Sequence, residues 1–242
     1  MTLNKHKILA IIPAREGSKR ELQKNFRPFA GTTLTDITIE HALKSKLITD
    51  VVLSSDSDEV LAIGSKYNGV ISLKRPEEFS TDTSPAIEFV RHTLQVMEPK
   101  KGYTYDMVVI LQPSSPLRYV EDIDNTIELL AGNPDADSSV SVVKIDHMVH
   151  PVKLKVLKGK ELLPYIEEEK GRFAAHELPD VYVRNCAVYV TWRRDLETRP
   201  DVIGNKSLAY EMPAEISADI NSMMDFEFAE YLYKKALSGK GE

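Results

Sequence analysis

Residues able to do chemistry gather at three places along this 242-residue chain. The first follows an apolar run at 8–12 and comprises Pro13, Ala14, Arg15, Gly17, Ser18, Lys19, Arg20 and Lys24, closing on Asn25. Cationic side chains and glycine-flanked N–H groups at the end of a buried strand are suited to gathering a polyanion, and a triphosphate is the obvious one. Neither G-x-x-x-x-G-K-[ST] nor G-x-G-x-x-G is present, and the plain alternative is a solvated basic loop. The second place is Gln112-Pro113-Ser114-Ser115-Pro116-Leu117-Arg118. Two prolines around two serines make a rigid, non-helical bend after the apolar run at 107–111, with a plain loop as the alternative. The third is Asp219 with Asn221. Positions i and i+2 on an extended segment share a face, as ligation of a hard cation requires. Asparagine can still offer a carbonyl oxygen there, without the charge. Helix capping by Asn221 and Asp225, ahead of a helix at 226–237, is the competing reading.

These positions need a scaffold. The run at 8–12 reads as a fully buried parallel strand, stopped by Pro13, which cannot donate to a ladder. A helix is expected at 34–47, capped by Thr33 or Thr35, with Asp36 at the positive end of its dipole. A strand at 51–53 ends in Ser54–Ser57, and a helix at 58–67 and a strand at 69–73 follow. This alternation predicts an α/β fold with a right-handed doubly wound sheet. Ligands of such sheets sit beyond the carboxyl ends of the strands, which places the Arg15 loop and the 54–57 turn on one rim. Further helices are expected at 86–97, with Thr83 or Ser84 as cap and Pro85 in first position, and at 121–131. Strands are expected at 107–111, 138–143 and 182–190. Alternating apolar and basic residues over 147–163, around Gly159, predict a hairpin with one exposed face. It belongs to a subdomain projecting from the sheet over about 145–180, and the acidic stretch 164–178 is expected to be exposed.

Composition narrows the function classes. Apolar and charged fractions of 42% and 28% are those of an ordinary globular protein able to bury a core. A net charge of −6 argues against nucleic acid as a partner, so the basic loop is a local site in an acidic protein. A single cysteine, Cys186, excludes an internal disulfide and a cysteine-based zinc site, and fits a reducing cytoplasm. The basic start before the short run at 8–12 superficially resembles a signal peptide. The run is too short, however, and no stretch long enough to span a membrane occurs.

The string Ile12-Pro13-Ala14-Arg15-Glu16-Gly17-Ser18-Lys19, with Lys24-Asn25 after a spacer, resembles the I-P-A-R-x-G-S-K and K-N signature of the sugar-acid cytidylyltransferases. These are the CMP-sialic acid synthetases and their relatives acting on legionaminic and pseudaminic acids. The resemblance continues in order. Ser54–Ser57 is similar to S-T-D-S, the stretch from Arg75 to R-P-x-E-L-x-x-D, the bend at 112–118 to Q-P-T-S-P-L-R, and His150–Lys153 to H-P-x-K. Residues 178–190 are similar to L-P-x-x-Y-x-x-N-G-A-x-Y-x, and Asp219–Asn221 to D-x-D with its second aspartate replaced.

The resemblance implies one cytidylyltransferase domain over 1–242, of Rossmann-like, nucleotide-diphospho-sugar transferase type. Its implied activity is transfer of CMP from CTP to the anomeric hydroxyl of a nonulosonic acid, with release of pyrophosphate. Arg15, Lys19, Lys24, Gln112 and Asp219 are the implied reaction-centre residues. Ala14, Arg15, Gly17, Ser18, Lys19, Asn25, Arg75 and Ser84 would bind nucleotide, with Arg75 and Ser84 near the cytosine. Gln112, Lys153, Asn185 and Tyr189 would hold the sugar acid, and Asp219 with Asn221 would hold Mg²⁺. A cytoplasmic homodimer, with the projecting region reaching toward its partner's site, is also implied. The alternatives are a cytidylyltransferase for the eight-carbon acid Kdo or for a sugar phosphate, and a non-catalytic CTP-binding module. Cys186 stands where the family has glycine, so it is expected either to narrow the pocket or to demand negative φ. With no basic partner evident, it reads as packing and not as a nucleophile.

Overall fold

Continuous runs of Val, Ile and Leu can be buried on both faces only in the interior of a parallel sheet, and such runs form the middle of this molecule. The computed structural model describes residues 6–16, 25–166 and 178–238. Within them the chain forms β1 (Ile8–Pro13), β2 (Pro28–Phe29), β3 (Thr32–Thr33), α1 (Leu34–Lys44), β4 (Asp50–Ser55), α2 (Asp58–Gly64), β5 (Val70–Lys74) and α3 (Ala86–Lys101). It continues through β6 (Met107–Ile110), α4 (Val120–Ala131), β7 (Ser138–Lys144), β8 (Lys155–Lys158), β9 (Glu161–Pro164), β10 (Tyr182–Trp192), β11 (Ser207–Glu211) and α5 (Met223–Ser238). Seven strands make one sheet in the order β11-β7-β10-β6-β1-β4-β5. Pairing is parallel from β5 through β4 and β1 to β6. It turns antiparallel on both sides of β10, and β11 runs parallel to β7. The mostly parallel, doubly wound α/β sheet expected from the sequence is therefore present.

Side-chain alternation on β1 divides the core. Ile8, Ala10 and Ile12 pack with Ile39 and Ala42 of α1, Val60 and Ile63 of α2, and Ile123, Ile127 and Leu130 of α4. Leu9 and Ile11 face the other way, toward Ile87, Val90, Leu94 and Met97 of α3. A third cluster joins Phe29, Leu34 and Ile37 to Ile220, Phe226 and Ala229, docking α5 against α1. No described helix is long and apolar enough to cross a membrane.

Several boundaries differ from the sequence reading. Thr33 is the cap of α1, accepting from Asp36 N at 3.1 Å, whereas Thr35 is buried and donates to Asn25 O. α1 ends at Lys44 instead of 47. α3 starts at Ala86, with Pro85 in the cap position; Ser84 does not cap it, because its Oγ donates to Glu78 O at 2.8 Å. α3 also runs through Pro99 to Lys101, since in the last turn a proline forfeits only one intrahelical bond, and Gly102 at φ +73 then ends it. The β2–β3 hairpin and β11 had no counterpart in the sequence reading. The hairpin around Gly159 does form, with positive φ at that residue, and among the described residues β8 and β9 make a separate two-stranded sheet. Both strands are exposed along their length, including Val156, Leu157, Leu162 and Leu163.

The register of β10 against β7 slips between Arg184 and Tyr189, and Cys186 sits in this bulge at φ +61. The expectation of negative φ is thus corrected: the backbone keeps the conformation that favours glycine, and the cysteine bears its steric penalty. Cys186→Val, β-branched at positive φ, is expected to lower stability by about 2 kcal/mol, whereas Cys186→Gly stays within about 1 kcal/mol of the native chain; thermal denaturation of the two variants checks this.

At the amino end of β4, Asp50 accepts from the Tyr105 hydroxyl at 2.9 Å and from Tyr103, and pairs with Lys101. Burial acts to raise its carboxyl pKa, but the bonds from Lys101, Tyr103 and Tyr105 outweigh it and hold the group below its ordinary value. A depressed native pKa gives stability that is present above the unfolded value of about 3.9 and lost as pH falls through the native one. Asp50→Asn is expected to destabilise by about 1–3 kcal/mol at pH 7. Urea titrations of both proteins should show the gap closing as the medium is acidified below pH about 4.

Candidate active site

The carboxyl ends of β1, β4, β5 and β6 open on one rim, because parallel strands end at a common level. Ala14 N donates to Ser54 O at 3.0 Å, Arg75 N to Ser55 O at 2.7 Å, and Leu111 N to Ile11 O at 3.0 Å. These bonds carry the ladder one step beyond the strands and bring Arg15, Arg75 and Gln112 out side by side. β10 runs the other way, so its early residues, Arg184 to Tyr189, reach the same rim, with Tyr189 opposite Ile110. Between them lies a cavity of about 390 Å³ lined by Arg15, Arg75, Ser84, Gln112 and Tyr189, all expected from the sequence.

The cations in this cavity are held in different ways. Arg75 is buried, with Nε donating to Ser54 Oγ at 3.1 Å and Nη2 to Ser54 O at 2.8 Å. Its guanidinium lies 4.6 Å from the centre of the Phe89 ring. Burial lowers its pKa and the nearby Arg15 adds to that, while Asp56 opposes them. His92 behind it is also lowered, by burial and then by Arg75, so its imidazole is neutral at pH 7. Arg15 pairs with Asp82 at 2.7 Å and reaches Ser80 O at 3.4 Å. Asn25 is buried beneath it and donates from Nδ2 to Arg15 O at 2.8 Å, tying together the two ends of the basic loop. Glu16 N donates to Asp56 Oδ1 at 2.9 Å.

On the opposite side, Tyr189 is nearly buried, and burial together with a hydrogen bond to Cys186 raises its pKa. Burial likewise raises the Cys186 thiol, with Asp219 acting in the same sense and Tyr189 against it, so the sulfur is protonated and not a nucleophile. Cys186 does not line the cavity. Asn185 does not line it either: it is buried, donating from Nδ2 to Ser217 Oγ at 2.9 Å and toward Met212 Sδ at 3.2 Å.

Asp219 and Asn221 flank Ile220, which is fully buried and donates its N–H to Ser114 O at 2.9 Å. Asn221 Nδ2 donates to Asp219 Oδ2 at 2.8 Å, so the two side chains share a face. Asn221 N donates to Asp225 Oδ2 at 3.0 Å, and Asp225 N to Ser222 Oγ at 3.2 Å, which makes Asp225 part of the start of α5. Asp219 offers a carboxylate, and Asn221 would offer Oδ1 once its amide is turned from the Nδ2 contact with Asp219, which fits a magnesium ion taking its other ligands from phosphate and water. Among the described residues no group of three or more His, Cys, Asp or Glu side chains is placed to hold a metal alone.

Gly17, Ser18, Lys19 and Lys24 lie outside the described residues, as does most of the acidic stretch 164–178. Lys153 stands on a short turn before β8 and does not line the cavity of its own chain. The structure adds Phe79, Asp82, Arg184 and Asp201–Ile203 to the lining. Asp82 closes the R-P-x-E-L-x-x-D likeness and Arg184 adjoins Asn185, so both stood beside a readable motif. Asp201–Ile203 follow no periodic pattern and arrive through tertiary packing, with Thr191 Oγ1 donating to Val202 O at 2.5 Å.

Residues 9–232 match the cytidylyltransferase family. The chain is 32% identical over 231 residues to an N-acylneuraminate cytidylyltransferase of Escherichia coli O18:K1:H7, spanning 95% of this chain and 52% of that protein. It thus covers about half the length of that relative. It is 27% identical over 229 residues to a pseudaminic acid cytidylyltransferase of Campylobacter jejuni, covering 94% of this chain and 97% of that one. With a CMP-N,N′-diacetyllegionaminic acid synthase of Legionella pneumophila it shares 30% over 241 residues, covering 93% and 96%. Among solved structures, a CMP:2-keto-3-deoxy-manno-octonic acid synthetase complexed with CTP superposes with a TM-score of 0.68 at 15% identity, covering 95% of this chain and 99% of the other. A 4-diphosphocytidyl-2C-methyl-D-erythritol synthase does so with 0.69 at 14%, covering 95% and 99%. These two likenesses concern the fold. The family match extends over the whole sheet and its rim, and the chain belongs to the cytidylyltransferase family.

Proposed function

We propose that this protein transfers CMP from CTP to the anomeric hydroxyl of a nonulosonic acid of the sialic, legionaminic or pseudaminic type. The observation carrying this reading is that Arg15 and Arg75, expected on the nucleotide, share one cavity with Gln112 and Tyr189, expected on the sugar acid. In the reaction the anomeric oxygen bonds to the α-phosphorus, and the bond from that phosphorus to pyrophosphate breaks. Such transfer depends on alignment and on stabilising spread negative charge more than on covalent help.

Arg15, with Ser18, Lys19 and Lys24 of the basic loop, holds the triphosphate, while Ala14 and Gly17 let the backbone approach and Asn25 closes the loop beneath it. To bond a phosphate oxygen, Arg15 exchanges or shares its contact with Asp82. Arg75 and Ser84 mark the cytosine end. Gln112 and Tyr189 face the sugar acid, Asn185 supports them from below, and Arg184 brings a further cation to the acceptor side. Asp219 and Asn221 would hold Mg²⁺, which when bound supplies charge neutralisation at the phosphates. The relatives' names support the substrate class, and the exposed apolar hairpin of β8 and β9 supports a homodimer in which Lys153 serves the partner's site. The single cysteine fits an enzyme of the reducing cytoplasm.

Pyrophosphate release from CTP and Mg²⁺, measured with sialic, legionaminic, pseudaminic and Kdo acids, tests the reading. Release with one nine-carbon acid and none with Kdo is expected. Silence with every acid, while CTP still binds, would reject transfer to these acids and point to a CTP-binding module. Arg15→Ala is expected to lower kcat/KM by about 10²- to 10³-fold, and a near-native rate would remove Arg15 from the reaction.

A further inference from the structure

Arg118 ends the bend that begins at Gln112, and none of its surface is exposed. A guanidinium taken wholly out of water is costly unless a carboxylate and a full set of acceptors meet it. Here Nη1 alone is engaged, donating to Gln112 O at 2.7 Å, Ser115 O at 2.8 Å and Ala187 O at 3.4 Å. Nε and Nη2 are buried and have no hydrogen-bond partner among the described residues. Burial pulls the group below the ordinary arginine value, and only the charge of Asp122 acts against this. An apolar side chain of similar volume would fill the space at lower cost, so what the arginine contributes is geometry.

Two of the three carbonyls, those of Gln112 and Ser115, lie in the bend itself, and the third, that of Ala187, lies on β10, so one guanidinium nitrogen ties the bend to that strand. Gln112 lines the cavity at the end of β6. Ser115 donates from Oγ to Asn185 O at 3.1 Å, and its neighbour Ser114 accepts from Ile220 N, between Asp219 and Asn221. Ala187 lies in the bulge between Arg184 and Tyr189 and leads to Tyr189. Among the described residues, no hydrogen bond of Arg118 reaches Arg15, Arg75 or the turn at Ser54.

The geometry points to Arg118 as a positioning residue for the acceptor half of the site: it fixes Gln112 and Tyr189 relative to the nucleotide while touching neither substrate. This rests on the function proposed above. Arg118→Met removes the donors, Arg118→Lys keeps the charge with a different donor geometry, and Ser115→Ala cuts only the link to Asn185. In folded Arg118→Met, kcat is expected to fall about 10- to 100-fold and KM for the acid to rise at least about fivefold, with KM for CTP within about twofold of native. Arg118→Lys should be intermediate. Amide hydrogen exchange should rise in 111–118 and 184–189 and stay unchanged in 51–57. If Arg118→Met does not fold, the other two variants decide. Native kcat and acid KM in both, or an equal rise in KM for CTP, overturns the inference. A native protein inactive with every acid would instead sink the proposed function. Exchange then decides Arg118 alone, and unchanged protection in 111–118 and 184–189 would reject it.

Discussion

The parallel hydrogen-bond register of β1 between β4 and β6 governs everything above the sheet. Ile11 faces Val52 on one side and Ile110 on the other, so the three strands end within a residue or two of one another. Because side chains alternate, a slip of one residue would send Ile8, Ala10 and Ile12 to the wrong core and lift Arg15 away from Gln112. Burial of both faces of β1 makes such a slip expensive, and that expense keeps the rim level. The continuing bonds at Ala14, Arg75 and Leu111 transmit the register to the loops.

The two sides of the cavity are built on different physics. On the Arg15 and Arg75 side, charge is gathered locally and partly neutralised in place, by Asp82 for one arginine and by Ser54 and the Phe89 face for the other. Cations so arranged can stand close together without a ligand. On the Gln112 and Tyr189 side the elements come from distant parts of the chain and are joined by backbone carbonyls, Ser115, Asn185 and the guanidinium of Arg118. Local charge tolerates loop movement, whereas a network of fixed bonds does not. The bulge at Cys186 belongs to this second kind: it spends backbone strain to turn β10 where it crosses the rim.

Much of this was legible in the residues. The apolar runs, their spacing and the polar turns after them gave the strands, the helices between them and the rim on which Arg15 and Gln112 stand, because burial on two faces leaves a compositional mark. Thr33 or Thr35 as the cap of α1 was left open, since both lie where a cap is needed; Thr35 is instead drawn into the core by Asn25 O. The β2–β3 hairpin and the Asp201–Ile203 wall escaped because their segments are too short to carry a periodic signal, and β11 because its alternation of Leu208 and Tyr210 spans only five residues. α3 begins at Ala86, where the sequence predicts it, but its cap is Pro85, because Ser84, which fits the cap pattern, is engaged by Glu78 O instead.

What the sequence by itself determined was the alternation of elements, the family likeness and which residue types stand after which strand. Those follow from local pattern, and local pattern is carried by neighbours in the chain. What only the tertiary structure decided was which side chains face the cavity. Asn185 and Gln112 both stood in readable motifs, yet one is sealed beneath the site and the other lines it. Arg118 looked like the tail of a loop and proved to be its fixed point. Orientation depends on bonds between residues far apart in the chain, such as Arg118 to Ala187 and Ile220 to Ser114, and no periodicity along the chain encodes them.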